Sequence, residues 1–484
     1  MLVEAGARGR RDRSHEDQRQ RGEGEAFLHH LLLGAWDGGC DSDEPNLQHP
    51  FQARKPKAGP RPRAGGPAVA LRPRLCENSP STRHNPGKED RVDEANTLEV
   101  SPHWRAVAKD VAERVVRPLA AKYDRLQEYP WEIRDELAKA GLMGVFVPKQ
   151  YGGAGGSLVD LCVCVEELSR ACGGVGVLYA VNALGTFPVL VAGTEEQKQK
   201  YLPKIAAGEK LVAFCLSEKT AGSDAGSLKL EAKKDGEHYI LNGEKKWTTN
   251  GGAAHIYSVF AVTDPESKSR RISTFVVDKD AQPGMSFPKV EDKMGIRCVP
   301  VVETHFTDVR VHQSQLLGGS AGMGFKHAMM TLDRARPGVA SQAVGLAQGA
   351  LDWAVAYASQ RHQFGQSILS FQMIQKMLAD MAARTEAARQ LVYFAARAVE
   401  AGHPMASKYA AECKMFATDT AMEVTTNAVQ IFGGYGYMKD YPIEKYMRDA
   451  KITQIYEGAN QVQALVIARA LTREVNQLRH LLEM

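Results

Sequence analysis

The sequence lacks the paired C-x-x-C spacing that zinc sites and disulfide scaffolds use. Its eight cysteines are scattered, and only Cys162 and Cys164 lie close together, in an apolar stretch where packing is the expected role. Neither a metal site nor a disulfide framework is therefore predicted. Reduced thiols, together with the absence of a convincing signal or transit peptide, predict a cytoplasmic protein.

A strong charge of one sign and a long apolar run are also missing. The formal net charge is +4 over 484 residues, so electrostatics do not favour nucleic acid as a partner. No uninterrupted run of 18 apolar residues predicts a transmembrane segment. A hydrophobic content of 44% at this length suffices for roughly three domains, which leaves small-molecule chemistry as the favoured class of function.

Two catalytic patterns are absent or out of place. No G-x-G-x-x-G occurs, which disfavours a Rossmann-type nicotinamide enzyme. The stretch from Gly318 to Gly322 reads G-x-S-x-G, the pattern of a serine-hydrolase nucleophile, but that pattern acts at the edge of a parallel sheet. No such sheet is predicted around it, so a hydrolase is disfavoured.

The first half of the chain falls into two parts. Residues 1–95 mix 16 Lys or Arg with 15 Asp or Glu and show no sustained apolar period, which indicates a disordered tail or an overlong assigned start. Residues 96–210 are predicted as a helical domain. Its first helix begins at Ser101-Pro102, and further helices are expected at about 130–140, 158–172 and 194–205.

The spacing of apolar residues changes twice in the second half, from helical to strand-like and back to helical, which predicts an α+β protein. Residues 211–318 are predicted as a small antiparallel β domain, with Asn242-Gly243 as its strongest hairpin turn and strands at 211–216, 239–241, 256–262, 272–277 and 301–306. Residues 319–484 are predicted as a helical bundle. Its helices are expected at 325–357 with an interruption at Pro337, at 371–401, at 405–432 and from residue 460 onward.

A polar stretch follows the first predicted strand, from Cys215 to Ser227. Its small residues, hydroxyls and backbone N–H groups are suited to cradling a pyrophosphate or lying against a flat ring, and an ordinary polar loop is the alternative. Further on, Trp247 stands beside two threonines. An indole there is suited to walling one face of a planar cofactor, although a core tryptophan is commoner.

Two more motifs lie near the C-terminus. The helix predicted to end at Phe432 is followed by Gly433, Gly434 and Gly436, more glycines than a helix cap needs, which suits a nucleotide. Glu457 precedes Gly458, where the backbone can approach a ligand closely. Taken alone, this pattern is compatible with a general base and, more commonly, with a surface glutamate at a helix start.

These residues carry a resemblance to the acyl-CoA dehydrogenase family, in particular its short- and medium-chain members, over about residues 96–473. Cys215–Ser227 and Gln430–Asp449 fit the family's two signature patterns, and Ile455–Gly458 resembles the segment that bears its catalytic base. The resemblance implies an N-terminal helical domain, a small middle antiparallel β domain and a C-terminal four-helix bundle. It also implies FAD as cofactor, oxidation of an acyl-CoA to a 2-enoyl-CoA, electron-transfer flavoprotein as electron acceptor, and a homotetramer.

The same resemblance implies roles for individual residues. Glu457 is the implied base for the α-proton, while the β-hydrogen leaves as hydride to flavin N5. FAD contacts are implied for Phe214, Leu216, Ser217, Gly222, Ser223, Trp247 and Thr249, and contacts with the FAD of a neighbouring subunit for Arg361, Gln372, Gln430, Gly433 and Gly434. Acyl-CoA contacts are implied for Ser223, Asp333, Arg336 and Gly458. Some relatives carry the base at the position of Ala335, and alanine cannot serve.

The chain departs from the family's commoner residues at Lys219-Thr220, Ala459-Asn460 and Ala464. These departures leave the acyl group and the CoA affinity open. Three alternatives also stay open: an enoyl-CoA reductase or an oxidase on the same scaffold, and a catalytically idle, partner-binding relative.

Overall fold

The computed structural model describes residues 100–478 and 481, so the prediction for residues 1–95 lies outside the described part of the chain. The described residues run as helices, then strands, then helices again, which confirms the α+β class. The first helices are α1 (Pro102–Val111), a π-helical turn (Ala112–Val116), α2 (Arg117–Leu126), α3 (Trp131–Lys139), α4 (Leu158–Ala171), α5 (Gly173–Ala192) and α6 (Glu195–Ala206).

Helix starts are well marked in this part. Ser157 and Thr194 cap α4 and α6 with capping boxes that satisfy otherwise unpaired backbone N–H groups. Ser101 stands at the N-cap of α1 as predicted, but its side chain makes no capping hydrogen bond. Cys162 and Cys164 are fully buried within α4, in the packing role expected of them.

Helix α5 was missed by the sequence analysis. It contains four glycines and Pro188, which resemble loop signals, and it is buried nearly all round, so no 3.6-residue apolar period shows. The glycines permit close packing: a Cβ on Gly176 would lie 1.8 Å from Ser169 Oγ. Helix α5 is also long and apolar enough to cross a membrane by length and composition, but 78% of its most apolar window is buried inside the protein, as in a core helix.

The middle region forms a seven-stranded sheet. Its strands are β1 (Val212–Cys215), β2 (Glu231–Asp235), β3 (His238–Thr249), β4 (Ile256–Val262), β5 (Ile272–Asp278), β6 (Met285–Ser286) and β7 (Val301–His312). Their order in the sheet is β1-β4-β2-β3-β7-β6, and β5 pairs with β4. Most neighbouring strands are antiparallel, whereas β1 runs parallel to β4 and β2 meets β4 in a parallel bridge. The charged strand β2 was not predicted because it has little apolar alternation.

The predicted hairpin turn at Asn242-Gly243 is wrong. Strand β3 continues through both residues with a bulge, where Gly243 has φ 134° and the register with β7 shifts. The Asn242 side chain bonds across the sheet to Asp308, with Nδ2 to Oδ1 at 2.9 Å. The chain reverses earlier, at Gly236, between β2 and β3. An Asn-Gly pair supplies the positive φ that a bulge needs as readily as a turn.

The C-terminal region is built around the 37-residue helix α7 (Gly324–Gln360), which packs against α4, α5, α8 and α9. The predicted interruption at Pro337 is wrong, since the helix continues through the proline. Two short helices, α10 and α11, were not predicted. After α7 come β8 (His362–Gln363), β9 (Gln366–Ser367), α8 (Gln372–Glu400), α9 (Ala406–Phe432), α10 (Gly434–Tyr437), α11 (Ile443–Thr453) and α12 (Asn460–Leu478).

Replacing Gly345 by alanine tests the contact between α7 and α4. A Cβ at Gly345 would lie 2.2 Å from the Glu166 carbonyl oxygen, a backbone atom that cannot move without shifting a helix. We expect Gly345→Ala to lower the free energy of unfolding by about 1–3 kcal/mol. Gly338→Ala on the same helix is the matched control, because a Cβ there meets nothing within 4 Å. Urea unfolding of both variants measures the difference, and equal stability would contradict the close packing.

Candidate active site

A buried ion pair fixes the loop that follows β1. Lys245 on β3 is almost completely buried, and its Nζ donates to Glu218 Oε1 at 2.8 Å and to the Leu216 carbonyl at 3.0 Å. The Glu218 carboxylate also accepts from the backbone N–H groups of Lys229 and Leu230, at 2.7 and 3.0 Å. Burial lowers the pKa of Lys245, and Glu218 opposes that effect. The pair therefore ties this loop to β3 and to the segment just before β2.

Trp247 lies in a bulge of β3 next to the same loop. It has φ 58°, rare for a bulky residue, and its side chain is 53% exposed. The neighbouring Lys246 N–H donates to the Ser217 carbonyl at 2.9 Å, which joins bulge and loop. The structure thus brings Leu216, Ser217 and Trp247 together at one edge of the sheet, with half-buried Thr249 two residues further along β3.

The tip of the loop fits an anionic ligand. Gly222 and Ser223 are exposed, and their backbone N–H groups have no hydrogen-bond partner among residues 100–478. A Cβ on Gly222 would meet nothing within 4 Å, so the backbone is open to close approach. Unpaired amides of this kind bind phosphate groups. An open amide pair beside an exposed indole fits a planar cofactor with a pyrophosphate.

A small apolar cluster connects this loop to helix α7. The rings of Phe214 and Phe260 meet edge to face, with centroids 5.1 Å apart. Leu216 belongs to the same cluster as Ala328 of α7, and half-buried Leu332 packs against it. Because Leu332 directly precedes Asp333, the cluster places the predicted substrate contacts of α7 near the loop.

Glu457 lies in the turn between α11 and α12. It has φ 51° and Gly458 has φ 88°, so two consecutive residues adopt the left-handed conformation. The residue is partly exposed as a whole, but its Oε2 is buried and has no hydrogen-bond partner among the described residues. Burial raises the pKa of Glu457 to about 7, and the positive charges of Lys414 and Arg336 oppose that rise. The predicted surface-glutamate alternative does not fit this environment.

Arg336 and Asp333 form a mostly buried pair, and the charge of Arg336 acts on Glu457. Arg336 is 5% exposed; its Nη1 donates to Asp333 Oδ1 at 2.7 Å, and its Nε has no partner among the described residues. Asp333 also accepts a hydrogen bond from Ser407 Oγ at 3.1 Å, and burial raises its pKa. An unpaired guanidinium N–H in such a place is suited to a polar or anionic ligand.

Lys414 and Gln463 were not predicted from the sequence, yet both contact the turn that carries Glu457. Lys414 Nζ donates to the Gly458 carbonyl at 2.9 Å, and Gln463 Nε2 donates to the same oxygen at 2.8 Å and to the Glu457 carbonyl at 3.2 Å. A lone lysine on a helix is usually solvent-facing. The available signal was its apolar setting between Cys413 and Ala417 on α9.

The remaining predicted residues form a separate group. Gly433 and Gly434 are exposed at the end of α9 with open space where a Cβ would stand, and the Arg361 guanidinium lies 5.6 Å from the centre of the Tyr435 ring. Exposed Gln430 lies one turn earlier on α9, and Gln372 begins α8. No hydrogen bond, ion pair or ring contact between described residues joins this group to the loop at Gly222. Its role towards a neighbouring subunit stays a prediction.

Family models for the acyl-CoA dehydrogenase N-terminal, middle and C-terminal domains match residues 101–209, 213–309 and 322–472. The chain belongs to the acyl-CoA dehydrogenase family. One relative is the short-chain-specific acyl-CoA dehydrogenase of Clostridium acetobutylicum, 45% identical over 76% of this chain and 97% of its own. Another is the 3-(aryl)acrylate reductase of Clostridium sporogenes, which is 44% identical over 76% of this chain and 97% of its own.

Solved structures of acyl-CoA dehydrogenases share this fold. Butyryl-CoA dehydrogenase from Megasphaera elsdenii superimposes with a TM-score of 0.74 at 45% identity, covering 76% of this chain and 97% of its own. An acyl-CoA dehydrogenase from Bacillus anthracis complexed with FAD superimposes with a TM-score of 0.71 at 34% identity, covering 77% of this chain and 67% of its own. A chain in a structure of the electron transferring flavoprotein of Acidaminococcus fermentans superimposes with a TM-score of 0.76 at 46% identity. The match covers 78% of this chain and 99% of that chain.

The raised pKa of Glu457 predicts a specific pH dependence of stability. The folded protein binds this proton more tightly than the unfolded chain, so the stabilisation is full below about pH 4.5 and is lost as the pH rises through about 7. We therefore expect Glu457→Gln to be more stable than the parent at pH 8, by about 1–3 kcal/mol. At pH 4.5 the two should be nearly equal.

Thermal unfolding at several pH values measures this difference. Glu237→Gln is the control, because Glu237 is 76% exposed in the turn before β3. A stability difference between Glu457→Gln and the parent that does not vary with pH would contradict a buried, proton-binding carboxyl at this site.

Proposed function

We propose that this enzyme is an FAD-dependent dehydrogenase of short- or medium-chain acyl-CoA thioesters, with Glu457 as the base that removes the α-proton. The observation that carries this proposal is the buried Glu457 carboxyl, with an unpartnered oxygen and a pKa raised to about 7. A general base works best when its pKa lies near the working pH. An oxygen without a hydrogen-bond partner is free to accept the proton.

The protein supplies the base and the surroundings of the cofactor. When bound, FAD supplies the acceptor for the β-hydrogen and its electron pair. Trp247 would lie against the flavin, and the N–H groups of Gly222 and Ser223 would hold its diphosphate. Half-buried Phe214, Ser217 and Thr249 and buried Leu216 complete this surface. The Lys245–Glu218 pair keeps the loop in place.

The thioester lies between the loop and the turn of Glu457. Deprotonation at the α-carbon places negative charge on the thioester oxygen, which the backbone N–H of Glu457 stabilises. Gly458 leaves room for the thioester, and a Cβ there would also lie 2.4 Å from Gln463 Nε2. Arg336, positioned by Asp333, binds the acyl-CoA together with Ser223.

The comparisons support a short or medium acyl chain and an external electron acceptor. The Clostridium acetobutylicum relative is short-chain specific, and the Megasphaera elsdenii structure is a butyryl-CoA dehydrogenase. A matched chain comes from a structure of an electron transferring flavoprotein, and we propose such a flavoprotein as the acceptor. We further propose a homotetramer in which Arg361, Gln372, Gln430, Gly433 and Gly434 reach the FAD of a neighbouring subunit.

A reductase that works in the opposite direction is the second candidate, favoured by the similarity to the 3-(aryl)acrylate reductase. Purified protein should be yellow. Anaerobic mixing with straight, branched and cyclic acyl-CoAs identifies a dehydrogenase by bleaching of the flavin and release of a 2-enoyl-CoA. If no acyl-CoA bleaches the flavin and an enoyl-CoA re-oxidises the chemically reduced enzyme, the protein is a reductase instead. Fast reaction of the reduced enzyme with oxygen would identify an oxidase.

Glu457→Gln tests the assignment of the base. We expect the variant to fold and retain FAD, because glutamine has nearly the same shape, and to lose flavin reduction by acyl-CoA about a thousandfold or more. Stopped-flow absorbance under anaerobic conditions measures this rate. Glu237→Gln serves again as the control and should reduce at the parent rate. Near-normal reduction of Glu457→Gln would remove Glu457 from the mechanism.

A further inference from the structure

We propose that Lys414 is a positioning residue for the base: it holds the Glu457–Gly458 turn in place and supplies a positive charge that favours the ionised form of Glu457. This inference rests on the proposed function, since it assigns to Lys414 a role exerted through Glu457. Lys414 stands on α9, a different element from the turn that it contacts.

The contacts of Lys414 are unusual for a lysine. Its side chain is completely buried, and Nζ donates to the Gly458 carbonyl at 2.9 Å and to Asn460 Oδ1 at 2.9 Å. The Asn460 amide is itself anchored to α9, donating to Thr418 Oγ1 at 2.9 Å and Asp419 Oδ1 at 2.8 Å. The ammonium group therefore links α9 to both ends of the segment 458–460.

This link opposes the strain in the turn. A non-glycine residue in the left-handed conformation is strained, and this conformation persists only where surrounding contacts determine it. Two donors, Lys414 Nζ and Gln463 Nε2, converge on the Gly458 carbonyl. Together they fix the direction of the peptide that follows Glu457, and hence the direction in which its side chain leaves the backbone.

The charges around the base make Lys414 an electrostatic partner as well. Lys414 of α9 and Arg336 of α7 are the cations that act on Glu457, and both lower its pKa. Asp419 and Glu457 in turn raise the pKa of Lys414, while burial and Arg336 lower it to about 8. At neutral pH Lys414 is thus mostly charged. Its removal should make the Glu457 carboxylate harder to form.

Lys414→Met tests the charge. We expect the acid limb of kcat/KM, which reports the base in the free enzyme, to move to higher pH by about one unit or more. Because fewer molecules then carry an ionised base, the loss of kcat/KM should be at least about tenfold larger at pH 6 than at pH 9. FAD content should be unchanged. Lys139→Met, at a 73% exposed lysine of α3, removes one charge elsewhere and should leave the profile unchanged.

Two more variants separate charge from structure. Lys414→Gln keeps a donor for the Gly458 carbonyl but loses the charge, so the same shift of the acid limb is expected, and this variant carries the test if Lys414→Met fails to retain FAD. Lys414→Arg keeps the charge and should restore the acid limb. An equal loss at all pH values, or an unshifted limb in both neutral variants, would overturn the inference. If Glu457→Gln remains active, the assignment of the base fails instead.

Discussion

The burial of a carboxyl group without a hydrogen-bond partner is the constraint on which this site depends. Taking such a group out of water favours its protonated form, and the structure retains Glu457 there despite that cost. The left-handed conformation of Glu457, a non-glycine residue, adds backbone strain at the same place. Unfavourable local features of this kind are typical of functional sites.

The fold connects the loop that follows β1 to the turn of Glu457 through helix α7. Near its start, Ala328 and Leu332 pack with Leu216 of the loop, and one turn later Arg336 acts on Glu457. Helix α11, which leads into the turn, is held against the β region, because Asp449 accepts from the Ile296 N–H at 2.6 Å and pairs with buried Lys445. Glu457 is thus placed by contacts with both neighbouring regions, although its own turn is short.

Sequence reasoning predicted the order of helical and β regions and the motifs of the site, because periodicity and glycine-rich stretches are local properties. It failed where tertiary context decides. Helix α5 has no apolar period because it is buried all round, Asn242-Gly243 forms a bulge rather than a turn, and α7 accommodates Pro337. The contacts of Lys414 could not be predicted for the same reason, because its partners Gly458 and Asn460 lie 44 and 46 residues away in the chain.

The most direct measurement of the central claim isolates proton abstraction from oxidation. An acyl-CoA whose β position is sulfur has α-protons but no β-hydrogen to transfer. In deuterated water, mass spectrometry of this thioester should show α-hydrogen exchange that is catalysed by the enzyme, increases as the pH passes about 7 and is abolished in Glu457→Gln. Exchange that continues at the parent rate in Glu457→Gln, with FAD still bound, would contradict the assignment of Glu457 as the base.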